Sequence, residues 1–331
     1  MVACTRLPVS RAELPPISVV VPTFRRARRL EPVVRALLAD AHTSELVVVV
    51  DGCRDGSLER LQAIAAADAR LRPLWIENRG ENGAREAGLR TARHPIALLV
   101  DDDVLAGPGL VSGHAAHHAG RDDLVVLGYM PVAADLVRTG GAAVRLYAGW
   151  YERQARAWED HPERVLENLW AGNVSLPRAR ALEVGLENPA FDARYNPDRE
   201  LGLRLAAAGL TGRFDRRLAA EHRYERGLDA FLRDAAATGE GTWLVHHLHA
   251  ERLGPLPRDA YERLSSPSLR PAVRFARRPR SGPAIRVAAA LARAAGRTGG
   301  RARLDERTAF LAFTMTQQRA ALARDRRSAA R

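Results

Sequence analysis

Three consecutive aspartates, Asp101–Asp103, are the residues whose type and spacing most clearly indicate chemistry. They directly follow the apolar run Ile96–Val100, and the first and third carboxylates stand two positions apart. Hard divalent cations such as Mg²⁺ and Mn²⁺ prefer oxygen ligands of this kind and often share their coordination sphere with substrate phosphates. The triplet therefore predicts a site for a metal and a phosphorylated ligand, and the alternative is an acidic surface turn.

The segments that must position this triplet alternate between apolar runs and amphipathic stretches. Apolar, largely β-branched runs predict strands at 17–22, 45–50, 74–76 and 96–100. Helically spaced apolar residues predict helices at 28–38, 57–67 and 83–92 between them. This alternation predicts an α/β fold with a parallel sheet covered by helices on both faces.

Thr23, Asp51 and Asp101 each come at the carboxyl end of a predicted strand. Ligands of open α/β sheets bind in the crevice outside these ends. We therefore expect the three side chains to line one crevice.

Four short segments then occur in a fixed order: VVVPTFRR at 19–26, VVVDGCRDGS at 48–57, NGAREAG at 82–88 and LLVDDD at 98–103. Together they resemble the family 2 glycosyltransferases of the GT-A fold, over residues 17 to about 240. The resemblance implies a Rossmann-like, mostly parallel sheet flanked by helices. It also implies hexosyltransferase-type transfer from a nucleotide-sugar donor to an acceptor hydroxyl, with inversion at the anomeric carbon.

The resemblance assigns the donor side of the site to the first half of the chain. Asp51 matches the aspartate that accepts a hydrogen bond from the base, and Arg85 matches an arginine near the base and phosphates. The positions implied to bind the nucleotide sugar are Pro22, Thr23, Asp51, Arg85, Asp101 and Asp102, the last in a supporting place.

Asp101 and Asp103 match the family's DXD pair, which contacts ribose and metal. His222 matches a histidine that binds the metal or the diphosphate in many relatives. The implied cofactor is a divalent metal, Mn²⁺ or Mg²⁺, held by Asp103 and His222.

The segments WAGNVSLPR at 170–178 and PDRELGLRL at 197–205 resemble the family's acceptor side. Asp198 falls on the catalytic aspartate, which implies a general base for the acceptor hydroxyl, and the start of a predicted helix also suits it as an N-cap. Glu200 pairs with Arg204 or supports the base. The implied acceptor-side residues are Trp170, Gly172, Asn173 and Glu200.

The sequence departs from the family pattern at Cys53 and Arg54, at Glu86 and at Pro197. The departures at Cys53, Arg54 and Glu86 leave the donor open, whereas Pro197 stands on the acceptor side, where a glutamate is usual. UDP is the favoured base because it is the commonest in the family. The acceptor is equally open among lipid-linked, polymeric and small-molecule classes.

Three histidines, His114, His117 and His118, have a helical spacing that permits metal chelation. Their helix lies past the crevice and no carboxylate partner is predicted for them, so we expect them to pack rather than to bind a metal. His246, His247 and His249 are expected to be surface or packing residues.

The chain has 331 residues, 51 arginines, no lysine, 39 acidic residues and a net charge of +12. Arginine in place of lysine reflects either a composition bias or the binding of phosphates, and the excess charge fits phosphorylated substrates, an anionic membrane or nucleic acid. The predicted parts are a loose leader (1–16), a nucleotide-sugar half (17–130), an acceptor and catalytic half (131–254) and a basic helical annex (255–331).

The annex has two predicted amphipathic helices, at 283–295 and 307–324. They either contact an anionic membrane or pack on the catalytic domain. Neither a signal peptide nor a membrane span is predicted, and two distant cysteines favour a reducing compartment. We therefore expect a cytoplasmic protein, with peripheral contact at the inner membrane face as an option.

Two alternative functions differ in class. A nucleotidyltransferase that makes nucleotide sugars uses a similar sheet, but it needs a glycine-rich loop with lysine after the first strand, where this chain has Pro22-Thr23-Phe24. An arginine-rich nucleic-acid binder on a relic fold is disfavoured because the annex lacks interleaved aromatic residues and a reader motif. We therefore expect no nucleic-acid partner.

Overall fold

The computed structural model describes residues 14–191, 195–297 and 304–329, so the predicted leader lies almost wholly outside the described residues. The described chain divides into two compact units, each assembled from segments distant in sequence. The first comprises the described residues up to Pro131 with Ala155–Asn188 and Leu201–Arg223. The second comprises Val132–Gln154 and the described residues of Pro189–Glu200 and Tyr224–Arg331. The sequence-predicted boundaries remain predictions.

The first unit contains eight strands, which are β1 (Ile17–Thr23), β2 (Thr43–Asp51), β3 (Leu71–Ile76), β4 (Ile96–Val100), β5 (Val104–Ala106), β6 (Leu124–Tyr129), β7 (Asn173–Pro177) and β8 (Thr211–His222). Their order in the sheet is β3-β2-β1-β4-β7-β6-β8-β5. The first four strands pair in parallel, as do β6 and β8, whereas β7 runs antiparallel to both its neighbours and β5 antiparallel to β8. The predicted mostly parallel α/β sheet is confirmed.

Fourteen α-helices accompany the strands: α1 (Leu30–Ala39), α2 (Ser57–Ala65), α3 (Gly80–Thr91), α4 (Leu110–His117), α5 (Ala134–Thr139), α6 (Ala142–Asp160), α7 (Arg178–Val184), α8 (Pro197–Ala207), α9 (Leu228–Leu248), α10 (Ala250–Leu253), α11 (Ala260–Arg263), α12 (Arg270–Phe275), α13 (Gly282–Arg297) and α14 (Leu304–Ala329) among the described residues. Helices α1 to α4 and α7 belong wholly to the first unit, and α9 to α14 lie in the second.

The core of the first unit lies on the central strands. Every residue of β1, β4 and β7 is buried, as expected for strands covered on both faces. Helix α3 approaches the sheet closely at Gly88, where an added Cβ would stand 2.3 Å from Val20 Cγ1. This approach fixes α3, and with it Arg85, beside the carboxyl ends of β1 and β4.

The second unit has its own core of aromatic and small apolar side chains. Trp150, Phe231 and Phe313 stack together, with ring centroids 4.3–5.4 Å apart. The predicted C-terminal helices are present as α13 and α14, and they share this unit with α9. Within the described residues no helix combines the length and the apolar character that crossing a membrane requires.

Candidate active site

The site is built on the carboxyl ends of three adjacent parallel strands. Strand β1 lies between β2 and β4, so Thr23 and Asp51, the last residues of β1 and β2, end beside Asp101, which follows β4. The Thr23 hydroxyl donates to Asp102 Oδ2 at 2.7 Å and so joins the end of β1 to the turn after β4. The expected crevice therefore has its polar residues at this edge of the first unit.

Asp101, Asp102 and Asp103, here called the carboxylate cluster, all contact arginine. Arg85 donates to Asp101 Oδ1 at 2.6 Å. Arg26 lies 3.5 Å from Asp102 Oδ1 and donates to Asp103 Oδ2 at 3.1 Å. Three neighbouring carboxylates repel one another, and these two guanidinium groups offset that repulsion.

The members of the cluster differ in their titration. Burial raises the pKa of Asp102 to about 6, against the lowering effects of the Thr23 hydrogen bond and of Arg26. Burial also acts to raise the pKa of Asp103, but the hydrogen bond to His222 and the nearby charges outweigh it, so that pKa is lowered. Asp103 is thus the better-stabilised anion of the two.

Asp103 and His222 form the pair that resembles a metal site. His222 Nε2 lies 3.4 Å from Asp103 Oδ1, and the backbone N–H of Arg223 donates to the Asp103 carbonyl at 2.8 Å. Among the described residues no group of three or more His, Cys, Asp or Glu side chains is arranged to hold a metal. One carboxylate and one imidazole fit a divalent cation whose remaining ligands are phosphate oxygens and water.

Arg85 is fully buried, which is unusual for a charged side chain. Besides Asp101 it contacts Glu81 Oε1 at 2.5 Å and donates to Asn82 Oδ1 at 3.2 Å. These contacts hold its guanidinium group at the N-terminal part of α3 against the carboxylate cluster.

Asp51 is 4% exposed and organises the turn between β3 and α3. Its Oδ1 accepts from the Arg79 backbone N–H at 2.7 Å, and its Oδ2 accepts from the Asn78 side chain at 3.0 Å. Asp55, four residues on, accepts from Ser57 at 2.7 Å and from the Ala27 backbone N–H at 3.1 Å. These two carboxylates tie the loops around the crevice together, a role for which the sequence analysis had no signal.

Gly172 lies directly against the carboxylate cluster. Its carbonyl accepts from the Asp101 backbone N–H at 3.2 Å, and a Cβ at this position would stand 2.6 Å from Asp101 Oδ2. Trp170, two residues earlier, is half-buried and meets Trp158 edge to face, with centroids 6.2 Å apart. Of the predicted acceptor-side residues, Gly172 therefore lies beside Asp101.

Asn173 is placed differently, because it is fully buried in β7. Its Nδ2 donates to the Leu218 carbonyl at 3.0 Å, and its Oδ1 contacts His114 Nε2 at 2.9 Å. Both ends of the amide are therefore engaged within the first unit, and the Asn173 side chain does not contact the carboxylate cluster as Gly172 does.

His114, His117 and His118, here called the histidine cluster, line the buried side of β7. The Ser175 hydroxyl lies 2.8 Å from His114 Nδ1 and 2.7 Å from His118 Nε2. His117 Nε2 lies 2.9 Å from Asp215 Oδ2. The expectation that no carboxylate accompanies these histidines is wrong: Asp215 comes from β8, 98 residues along the chain, where sequence spacing gives no sign of it.

Asp198 and Glu200 belong to the second unit. Asp198 stands in the first turn of α8 and is half-buried. Glu200 is 1% exposed, and its Oε1 lies 3.3 Å from His249 Nε2. One partner of Glu200 is thus a histidine that the sequence indicates only as a surface or packing residue.

Arg26 is the functional candidate that sequence reasoning missed. It forms ion pairs with both Asp102 and Asp103, at 3.5 and 3.1 Å. The available signal was its place in the segment just after β1, which carries two adjacent arginines at the crevice edge.

Comparison with known proteins supplies independent findings. Residues 18–166 match the family model described as Glycosyl transferase family 2. Validoxylamine A glucosyltransferase of Streptomyces hygroscopicus subsp. jinggangensis is 30% identical over 232 residues, 62% of this chain and 54% of the relative. The uncharacterized glycosyltransferase YfnE of Bacillus subtilis is 30% identical over 150 residues, 45% of this chain and 34% of the relative.

Among solved structures, mannosyltransferase PcManGT from Pyrobaculum calidifontis, in complex with GDP-Man and Mn²⁺, matches with a TM-score of 0.59 and 18% identity. The match covers 96% of this chain and 91% of that one, and it shows that the GT-A fold is shared. The chain spans about half or less of the length of the two curated relatives.

Proposed function

Because the chain belongs to glycosyl transferase family 2, we propose that it transfers a hexose from a nucleotide-sugar donor to an acceptor hydroxyl with inversion. The observation that carries this proposal is the meeting of Thr23, Arg85, the carboxylate cluster and His222 at one strand edge. Such an edge offers both anionic groups for a metal and cationic groups for a diphosphate.

On the donor side, Asp51 would accept a hydrogen bond from the base, and Asp101 would bind the ribose. Both carboxylates already accept hydrogen bonds at 2.6–3.0 Å, so their oxygens are held in fixed directions. Arg26 and Arg85 would bind the diphosphate, because guanidinium groups match phosphate oxygens in a forked geometry. UDP is the favoured base, and the names of the relatives leave the sugar undecided between glucose and mannose types.

Asp103 and His222 would hold a divalent metal, Mn²⁺ or Mg²⁺, together with the diphosphate. The metal would neutralise the charge that develops on the departing nucleoside diphosphate. The Asp103 side chain is 23% exposed and the His222 side chain 9%, so the pair is shielded from solvent yet open to a ligand. Mn²⁺ is present in the PcManGT complex, which supports this choice.

Asp198 would act as the general base. Its carboxylate takes the proton of the acceptor hydroxyl while the hydroxyl oxygen bonds to the anomeric carbon and the bond to the diphosphate oxygen breaks. Asp198 stands in the first turn of α8 and is half-buried, so its carboxylate is open to an acceptor. Glu200, held by His249, would support the acceptor side.

Replacement of Asp198 by Asn tests the base. We expect D198N to bind the donor with unchanged affinity, measured by calorimetry, and to lose transfer by a factor of about 1000, within the range for a general base. D229N, which changes an exposed aspartate at the start of α9, is the matched control and should transfer normally. Transfer by D198N at near wild-type rate would remove Asp198 from the mechanism.

The donor is tested by a thermal-shift screen of UDP-, GDP- and dTDP-sugars with Mn²⁺, followed by product analysis. A stabilising donor that yields free nucleoside diphosphate supports transfer. Release of pyrophosphate from a nucleoside triphosphate and a sugar 1-phosphate, with formation of the nucleotide sugar, would instead support a nucleotidyltransferase.

A further inference from the structure

The positive charge of this protein is concentrated at one end of the sequence. Residues 255–331 contain 18 of the 51 arginines but only five of the 39 acidic residues. The rest of the chain is therefore close to neutral. The 42 residues from Arg263 to Leu304 contain eleven arginines and no acidic residue at all.

The acidic residues that flank this stretch are already engaged by arginine. Glu262 is buried and binds Arg274 and Arg277, and Asp305 is buried and binds Arg145. They leave little negative charge to balance the exposed arginines of α13.

Helix α13 presents three distinct faces. Small residues fill the face that packs inside the second unit, and they are Ala288, Ala292 and Ala295. A second face is exposed but apolar: Val287 is 59% and Leu291 is 55% exposed, in line with the exposed Ala290 and Ala294. An edge of arginines borders this exposed apolar face, and its members are Arg286, Arg293 and Arg297.

This arrangement differs from the ordinary exposure of single apolar residues on a protein surface. Val287 and Leu291 lie one helical turn apart, so their side chains cover one continuous strip. Arg286 makes no ion pair with any described residue, and Arg293 binds Asp229 at the exposed start of α9. An apolar strip with a cationic edge is the pattern of a helix that lies in a membrane interface.

We propose that the exposed apolar face of α13 docks on an anionic lipid surface. Val287 and Leu291 enter the boundary between headgroups and acyl chains, and the arginines of the edge bind lipid phosphates while their aliphatic stems stay in the apolar layer. Lipid is favoured over nucleic acid because a phosphate backbone would satisfy the arginines but leave the aliphatic strip exposed to water. This proposal goes beyond the proposed transfer reaction and does not depend on it.

The test is flotation of the full chain with vesicles, without donor or metal. We expect binding to vesicles of phosphatidylcholine with phosphatidylglycerol and little binding to phosphatidylcholine alone. The double variant V287D/L291D should weaken binding to the anionic vesicles at least about tenfold, because it removes buried apolar area. R286Q/R297Q should weaken it between about fivefold and 25-fold, since each arginine near such a surface contributes about fivefold.

Two matched controls separate the face from general effects of charge. L248D changes another exposed leucine, at the end of α9, and R35Q/R60Q removes two exposed arginines of α1 and α2. Both should bind vesicles as the wild type does, and circular dichroism should be the same for all variants.

The proposal fails if the wild type does not bind anionic vesicles, or if V287D/L291D binds them as strongly as the wild type does. Binding of duplex DNA in preference to anionic vesicles, equally by V287D/L291D and the wild type, would assign the arginines to nucleic acid instead. Because no sugar transfer is measured, failure here leaves the proposed function untouched, and loss of transfer in D198N leaves this proposal untouched.

Discussion

Two polar clusters of the first unit lie on either side of Gly172–Asn173, and they solve the problem of burying polar groups in opposite ways. The carboxylate cluster is partly exposed, with side chains 13–28% accessible, and its charges are balanced by Arg26 and Arg85. In the histidine cluster, His114 and His118 are buried and uncharged, and they share one serine hydroxyl. The carboxylate cluster can exchange its arginine contacts for contacts with a ligand, whereas the hydrogen bonds of the histidine cluster stabilise the fold.

The hydrogen bonds that join His114, His118, Ser175 and Asn173 fit only one assignment of donors and acceptors. Asn173 Oδ1 is an acceptor, so neutral His114 must carry its proton on Nε2 and accept from the Ser175 hydroxyl at Nδ1. His118 Nε2 must then donate to Ser175. Because Asn173 follows Gly172, which contacts Asp101, the chain of bonds fixes the backbone against the carboxylate cluster.

The largest expected effect is a loss of catalysis without a loss of stability. D103N should lower transfer by about 100- to 1000-fold, the usual cost of removing one preorganised electrostatic contact. The free energy of unfolding should change by less than about 1 kcal/mol, because Asp103 is partly exposed and loses only ion pairs. Initial rates under saturating Mn²⁺, together with urea unfolding, make the comparison, and an equal loss in both measurements would mean that the cluster is structural.

H114A should show the reverse pattern. It leaves Asn173 Oδ1 and the Ser175 hydroxyl without their partner and opens a cavity, so we expect about 3 kcal/mol of destabilisation. The folded fraction should keep its affinity for the donor within about threefold, since no ligand contact is removed. Urea unfolding and calorimetry at 10 °C test this, with H247A on α9 as the control. Strong loss of donor affinity in fully folded H114A would show that the two clusters are coupled.

The contrast also explains what the sequence could and could not predict. Strand ends are visible locally, because apolar runs such as Ile96–Val100 stop at a charged residue, and so Thr23, Asp51 and Asp101 were expected at one edge. Partners from distant strands have no local signature. The pairing of β6 with β7 and β8 brings Asn173, Ser175 and Asp215 to α4, and none of these contacts has a period or spacing that sequence reasoning can use.

The arginine partners of the carboxylate cluster could be predicted only in part. The resemblance marks the position of Arg85, whereas Arg26 is hard to distinguish from the many other arginines, since a composition rich in one residue hides the few that have a site role. The same reasoning applies to Asn173, whose motif position suggested the acceptor side although its side chain is buried.

A smaller effect is expected from pH. Burial lowers the pKa of His114 to about 3 and that of His118 to about 4, from an ordinary value of 6.5. Below pH 6.5 these two histidines therefore bind protons in the unfolded chain but not in the folded chain, and the free energy of unfolding falls as the pH falls. Between pH 7 and pH 5 this should amount to about 2 kcal/mol for each histidine. The unfolding free energy of H118N, measured at several pH values, should fall less steeply than that of the wild type, and parallel curves would contradict the linkage.

The smallest expected effect concerns the loop beside the carboxylate cluster, where one residue has a strained backbone conformation. Arg25 has a φ of 58°, a left-handed conformation that costs most side chains about 1 kcal/mol and that asparagine tolerates best. R25N should therefore raise the free energy of unfolding by about 0.5 kcal/mol, measured by urea unfolding, with R28N at the neighbouring exposed position as the control. The hydrogen bond from the Arg25 backbone N–H to Cys53 Sγ, at 3.3 Å, is left intact by the substitution.

The same variant tests whether the strain contributes to transfer. If R25N is more stable but transfers sugar more slowly, the strained conformation of Arg25 holds Arg26 in position for the diphosphate. The loop then contributes to the site together with the carboxylate cluster. If the transfer rate is unchanged, the strained conformation of Arg25 has no role in transfer.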